Sequence, residues 1–323
     1  MSTNETSKNT SNENDKLVEI ISAAVQIPGV KVNRAEFLLT QFKDATAEFR
    51  EEVLAKGPVE AGYSRDLLKQ KASHLLMDRT LASTGASFLA GLPGGLAMAA
   101  TIPADMLQYY AVALRTAQEI AYLYGEADLW SNGSVDDEKI RNQLILYCGV
   151  MFGASGAAQA VRVLSSALAK QALKKIPQKA LTKTIYYPVI KSICKFFGVH
   201  MTKGVFAKGL SKAVPVIGGF ISGGITFATM RPMGMRLIDA MDEAHFDYSQ
   251  TDFNADWVEI VEVCEESGVD VPEEIENLAA EEVKPEQHIS ITEEIKKAKE
   301  LLDLGIISEN EFAEMKSKLI AKL

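Results

Sequence analysis

The chain has 323 residues, 47% of them apolar and 7% aromatic, with a formal net charge of −9. That apolar content is ample for a large core and excludes a fully disordered chain. Cys148, Cys194 and Cys264 are widely separated and odd in number, which excludes a disulfide framework and points to a reducing, cytoplasmic compartment.

Residues 1–15 are rich in Ser, Thr, Asn and Glu and lack an apolar stretch, so they read as a disordered leader rather than a targeting peptide. Asp15 to Gln26 has the pattern of a short amphipathic helix ended by Pro28-Gly29. Asn33 is placed to cap a helix running to about Lys56, with Phe37, Leu38, Phe42, Phe49 and Val53 at helical spacing and Gly57-Pro58 as its stop. Ser64 to Leu81 predicts a further helix that buries Leu67, Leu68, Leu75 and Leu76.

Thr80 to Ala104 then carries no charge and is broken by Gly91, Pro93, Gly94 and Gly95, which favours two short helices folded back over one bilayer-spanning helix. Thr101 is the expected N-cap of the next helix, with Pro103 in its first turn and Gly125 as its stop. Asp105 stands at the edge of the uncharged run, where a carboxylate either offsets the helix dipole or serves a function, and Arg115 and Glu119 form an i,i+4 pair. After a polar loop, a helix is expected through the uncharged stretch Asn142 to Val161, followed by lysine-rich helices punctuated by Pro177, Pro188 and Gly198. Ala213 to Met230 is a third uncharged stretch. Strand-like alternation is nearly absent, so the fold class is all-α: a bundle with glycine-rich, partly membrane-compatible helices.

Charge is distributed in blocks. Ile140 to Ile238 contains fourteen Lys and Arg and no acid, whereas Asp239 to Glu286 contains seventeen acids against the single base Lys284. Lys170, Lys174, Lys175, Lys179, Lys183, Lys191 and Lys195 are the candidate lipid-binding residues. Each lysine near an anionic leaflet contributes about 1 kcal/mol. The alternative is that the basic block pairs with the acidic one inside the fold. Gly149 and Gly153, like Gly219 and Gly223, are four apart, a spacing that brings helices close in lipid or in a tightly packed soluble core. Nucleic acid is disfavoured, because the chain is acidic overall and no helix-turn-helix, zinc or aromatic-basic motif occurs. The histidines are isolated in sequence, and neither a Gly-x-Ser-x-Gly elbow nor a Walker loop is present, so a non-enzymatic role without cofactor or metal is expected.

Two resemblances add to this reading. Gly91-Leu92-Pro93-Gly94-Gly95-Leu96-Ala97, Thr101-Ile102-Pro103-Ala104-Asp105, Ala121-Tyr122-Leu123-Tyr124-Gly125 and the later Val214 to Gly224 segment together resemble the EcsC family. That likeness implies a bacterial protein with an EcsC-like helical domain over 16–242, and the family's link to a transporter implies a scaffold or regulator of transport or secretion as the alternative role. It brings no catalytic residue. Leu301 to Phe312 resembles the core of the SHOCT module, with Gly305 as a helix stop and Ser308-x-x-Glu311 as a capping box. The expected organisation is therefore 16–242, an acidic helical segment and linker over 243–287, and a two-helix module over 288–323. The module's apolar surface, including Leu302, Ile306, Phe312 and Met315, is too large for about 30 residues to bury, so it is expected to bind a protein partner or a second copy. The expected location is peripheral to, or partly inserted in, the inner face of the cell membrane.

Overall fold

The structure is a computed structural model that describes residues 17–82, 104–131, 138–168, 187–200 and 223–266, together with 271 and 312; of 104–106, 187, 195, 197–200 and 223–228 it describes the backbone only. The chain divides into two units, Met1–Glu281 and Glu282–Leu323. Apart from Phe312, which is helical and half-buried, the second unit lies outside the described residues, and so does the expected two-helix module.

The described residues of the first unit are all-α, with no strand among them. The helices are α1 (17–25), α2 (Arg34–Gln41), α3 (Ala47–Lys56), α4 (Arg65–Ala82), α5 (Ala104–Leu123), α6 (Glu138–Phe152), α7 (Ala157–Ser165), α8 (Tyr187–His200), α9 (Gly223–Asp242) and α10 (Gln250–Glu266). A π-helical turn, Glu243–Asp247, joins α9 towards α10. α9 is central and packs against α4, α5, α6 and α7, while α10 covers α7 and α8. The core is built on Tyr110, Tyr122, Tyr124, Tyr147, Phe253 and Trp257, all fully buried.

Local chemistry sets the first boundaries. The Asn33 side chain accepts from Glu36 N at 3.0 Å and starts α2 as expected. The helix does not continue to Lys56, however. Thr46 caps a second helix by accepting from Phe49 N at 3.2 Å, and the turn between lets Phe42 meet Phe49 and Tyr63 at centroid distances of 6.1 and 5.0 Å. A straight helix would carry Phe42 and Phe49 apart; the aromatic cluster is gained by folding it into two. Leu68, Leu75 and Leu76 are buried on α4, but Leu67 is 51% exposed.

Contacts along α9 fix the directions of its neighbours. Arg65, the first residue of α4, meets Asp242 at the end of α9, and Gly234 lies against Leu76, where a Cβ would overlap the leucine side chain; α4 and α9 are antiparallel. Tyr109 Oη is 3.0 Å from Thr229 Oγ1 and 2.9 Å from Met233 Sδ, and Tyr124 Oη donates to Asp242 at 3.4 Å, so α5 and α9 are parallel. Phe152, the last residue of α6, stacks on Tyr110 at 5.6 Å. The C-terminal ends of α4 and α6 and the N-terminal ends of α5 and α9 therefore share one end of the body.

The expected helix through Asn142–Val161 is two helices. Gly153 and Gly156 adopt φ values of +78° and +74°, ending α6 and starting α7. Pro188 lies in the first turn of α8, and Gly198 lies within that helix rather than interrupting it. The acidic segment contributes α10, whose Phe253, Trp257, Ile260, Val263 and Cys264 are buried in the core beside α7 and α8.

Candidate functional site

Three clusters of described ionisable residues tie helices together. In the first, Glu119 is fully buried; Arg79 Nε and Nη2 donate to its two oxygens at 2.6 and 2.7 Å, and Arg115 Nε donates at 3.0 Å. Arg115 Nη1 also donates to the Gly29 carbonyl at 2.7 Å. One residue along, buried Gln118 accepts from Val32 N at 3.2 Å and from Trp130 Nε1 at 2.7 Å, and donates to Val30 O at 3.0 Å. The loop after α1 is thus clamped to α5 by backbone contacts that its sequence does not announce.

The second cluster lies at the opposite end from Phe152. Arg65 donates to Asp242 at 3.0 and 2.7 Å and to Asp247, and Lys69 Nζ is 3.0 Å from Asp239. Hydrogen bonds to both aspartates raise the Arg65 pKa. His245 stacks on Tyr124 at 6.1 Å, with its Nε2 4.0 Å from Glu126.

The third cluster joins the basic block to the acidic one. Arg162 on α7 donates to Asp256 at 2.8 and 2.6 Å and to Glu243 at 3.2 Å, while Tyr248 Oη donates to Asp256 at 2.8 Å. The Asp256 hydrogen bonds hold the Arg162 guanidinium above its ordinary pKa; burial, then Asp256, raises that of Tyr248. Each arrangement orients charges against one another rather than towards a substrate.

Burial pushes the Cys148, Cys194 and Cys264 thiols up to about 12, which suppresses the reactive thiolate at neutral pH. No group of three or more His, Cys, Asp or Glu able to hold a metal occurs among the described residues. A cleft of about 210 Å³ beside α4 holds His74 and Asp78, but its Lys71 is committed to the Gln41 carbonyl at 2.9 Å and to the Phe42 ring. That volume falls below the range of about 300–1,000 Å³ usual for small-molecule pockets.

Of the residues singled out from sequence, Lys170, Lys174, Lys175, Lys179, Lys183, Thr101, Gly219, Leu302, Ile306 and Met315 lie outside the described residues. Lys191 is half-buried on α8; Lys195 lies on the same helix, Asp105 on α5 and Gly223 at the start of α9. Gly149 does mediate close packing: a Cβ there would stand 2.7 Å from Ile193 Cδ1 and 3.0 Å from Ala157 Cβ. Gly153 does not share that helix face, because its left-handed backbone terminates α6. Arg115 belongs to the Glu119 cluster, whereas its partner Arg79, 40 residues from Glu119, carries no local signal of the pairing.

A second feature is the distribution of charge along the body. Met106 to Leu114 of α5, Gln143 to Phe152 of α6 and Gly223 to Met230 of α9 contain no charged residue, although Asp78 and Arg79 of α4 and Asp105 of α5 lie towards the same end. The opposite ends of α4, α5 and α9 carry Arg65, Lys69, Asp239 and Asp242, with Glu126, Asp128, Glu243 and Asp247 in the segments that follow. No described helix is long and apolar enough to cross a membrane. Searches against protein-family models, curated proteins and solved structures find no match, so the functional reading rests on the geometry of this chain.

Proposed function

We propose that the protein is a non-enzymatic, membrane-associated helical protein that binds an anionic lipid surface and presents its C-terminal segment to a partner. One observation carries this reading: the uncharged, glycine-rich runs Thr80–Ala104 and Ala213–Met230, far apart in sequence, both join the body at the end where α4 stops and α5 and α9 start. Apolar residues on neighbouring attachment points act on one lipid surface together, and lysines of the basic block add attraction to phosphate. The EcsC-like motifs fall largely in these same runs, and the SHOCT-like segment supplies the partner-binding role.

Flotation of the full chain with vesicles tests the proposal. Phosphatidylglycerol vesicles are expected to retain the protein at low salt and release it at 1 M salt, where the Debye length falls to about 3 Å. Charge reversal at Lys174, Lys175 and Lys179 together is expected to weaken retention at least tenfold. Recovery of the protein free of vesicles at low salt would overturn the membrane reading.

The second reading, a soluble helical scaffold or regulator of a transport or secretion system, is favoured by the Arg162 contacts to Asp256 and Glu243, which consume charge from both blocks inside the fold. Partner binding through the C-terminal segment is common to both readings. Leu302→Asp combined with Phe312→Asp is expected to abolish self-association or partner capture while leaving the main melting transition within about 2 °C. Loss of that transition in the double variant would make the segment part of the main core.

A further inference from the structure

We propose that His245 is a proton-operated latch: its imidazolium closes onto the Glu126 carboxylate and ties the turn Glu243–Asp247 to the end of α5. His245 Nε2 stands 4.0 Å from Glu126 Oε1, and the two side chains are 14% and 15% exposed. Both atoms are closed off from solvent, and Glu126 Oε1 accepts no hydrogen bond. A secluded carboxylate oxygen is costly until a donor reaches it. The Glu126 backbone is held in place, because its amide donates to Ala121 O at 3.0 Å and its carbonyl accepts from Arg34 Nε at 2.8 Å. Stacking on Tyr124, with ring centroids 6.1 Å apart and planes at 21°, keeps the imidazole beside that segment. Closure is then a movement of about 1.2 Å, to a charge-assisted hydrogen bond of about 2.8 Å.

The charges around the pair decide its sign. On the turn itself, Glu243 is taken by Arg162 of α7 and Asp247 by Arg65 of α4; Asp242, at the end of α9, is held by Arg65 and Tyr124 Oη. Those acids are offset by their own partners, which leaves Glu126 as the carboxylate that His245 meets. Burial and the Arg34 charge oppose protonation. Arg34, however, spends Nε and Nη1 on the carbonyls of Glu126 and Leu54 rather than on the carboxylate. Charges near a protein surface attract about four times as strongly as at the same separation in bulk water. Protonated His245 thus gains a partner that the unfolded chain does not supply, so the folded chain holds this proton to higher pH. The added stability is complete below the ordinary imidazole midpoint of about 6.5 and is lost as pH rises through the folded-state midpoint.

The test is urea denaturation of the full chain, parent against Glu126→Gln, each with and without His245→Gln, from about pH 5.5 to about pH 8, the span in which imidazoles change charge. His74, His200 and His288 are common to all four proteins, so the difference between parent and Glu126→Gln isolates the pair. Glu126→Gln is expected to lose about tenfold more in folding equilibrium constant at the acid end than at the alkaline end, the equivalent of about one unit in the His245 midpoint. In the His245→Gln background the same change is expected to lose equally at both ends. Parallel profiles for the parent and Glu126→Gln would overturn the latch, and so would a pH dependence that survives His245→Gln. If a variant fails to fold, imidazole NMR of the parent decides, with His245 identified by its contact to the Tyr124 ring: a midpoint above about 6.5 supports the latch, and one at or below it overturns it.

Discussion

Glu119→Ala is expected to destabilise the main body by about 3–5 kcal/mol, the range for breaking a buried ion pair by removing one partner. The carboxylate is fully enclosed, and both of its oxygens are held by Arg79 while one is shared with Arg115. Its deletion leaves two guanidinium groups, each with under a third of its side chain exposed, facing a cavity with no counter-charge. The damage should spread, because Arg115 also fixes the Gly29 carbonyl and Arg79 positions the last turns of α4. Glu119→Gln keeps the volume and one acceptor and is expected to lose less. Replacing all three residues together, with Glu119→Leu, Arg79→Met and Arg115→Met, should recover much of the loss, since an apolar cluster of similar volume avoids the desolvation cost. Urea denaturation of the four proteins measures the series. A loss under about 1 kcal/mol for Glu119→Ala would mean that the cluster is wetter or less coupled than its geometry indicates.

The parts of this fold that were legible in the sequence are those whose physics is local. Asn33 and Gly125 act within a few residues of themselves, and both cap helices where expected. The break at residues 42–46 was hidden because Phe42 and Phe49 satisfy a helical period equally well; only the distant Tyr63 ring makes folding them together favourable. Gly149 and Gly153 share a spacing but not a role, since spacing alone does not distinguish a packing glycine from one that stops a helix. The ion pairs were illegible for a related reason. Arg65 and Asp242 lie 177 positions apart, and Arg162 and Asp256 lie 94 apart, so their charges are visible in sequence but their pairing follows from helix directions. Those directions also bring the first and third uncharged runs to one end of the body, a relation on which the functional proposal depends and which no single run contains.

The stop at Gly57 offers the sharpest test of a local signal that also has a tertiary cause. Its backbone, at φ +88° and ψ 162°, occupies a region open essentially to glycine alone, so Gly57→Ala is expected to cost about 1–3 kcal/mol in backbone strain. A Cβ there would also stand 2.7 Å from Gly125 Cα and 3.3 Å from its carbonyl oxygen, backbone atoms that cannot rotate aside. The ends of α3 and α5 meet at this point, with Arg34 donating to Leu54 O at 3.0 Å and Glu126 O at 2.8 Å across the junction. Moving either backbone would lengthen those hydrogen bonds, so the steric cost adds to the strain. Gly62 provides the control: its φ is +80°, but a Cβ there meets nothing within 4 Å. Gly62→Ala should therefore show strain alone, and Gly57→Ala should lose at least about 1 kcal/mol more in chemical denaturation. Equal losses at the two positions would show that the ends of α3 and α5 are not in the close backbone contact that positions α5 within the body.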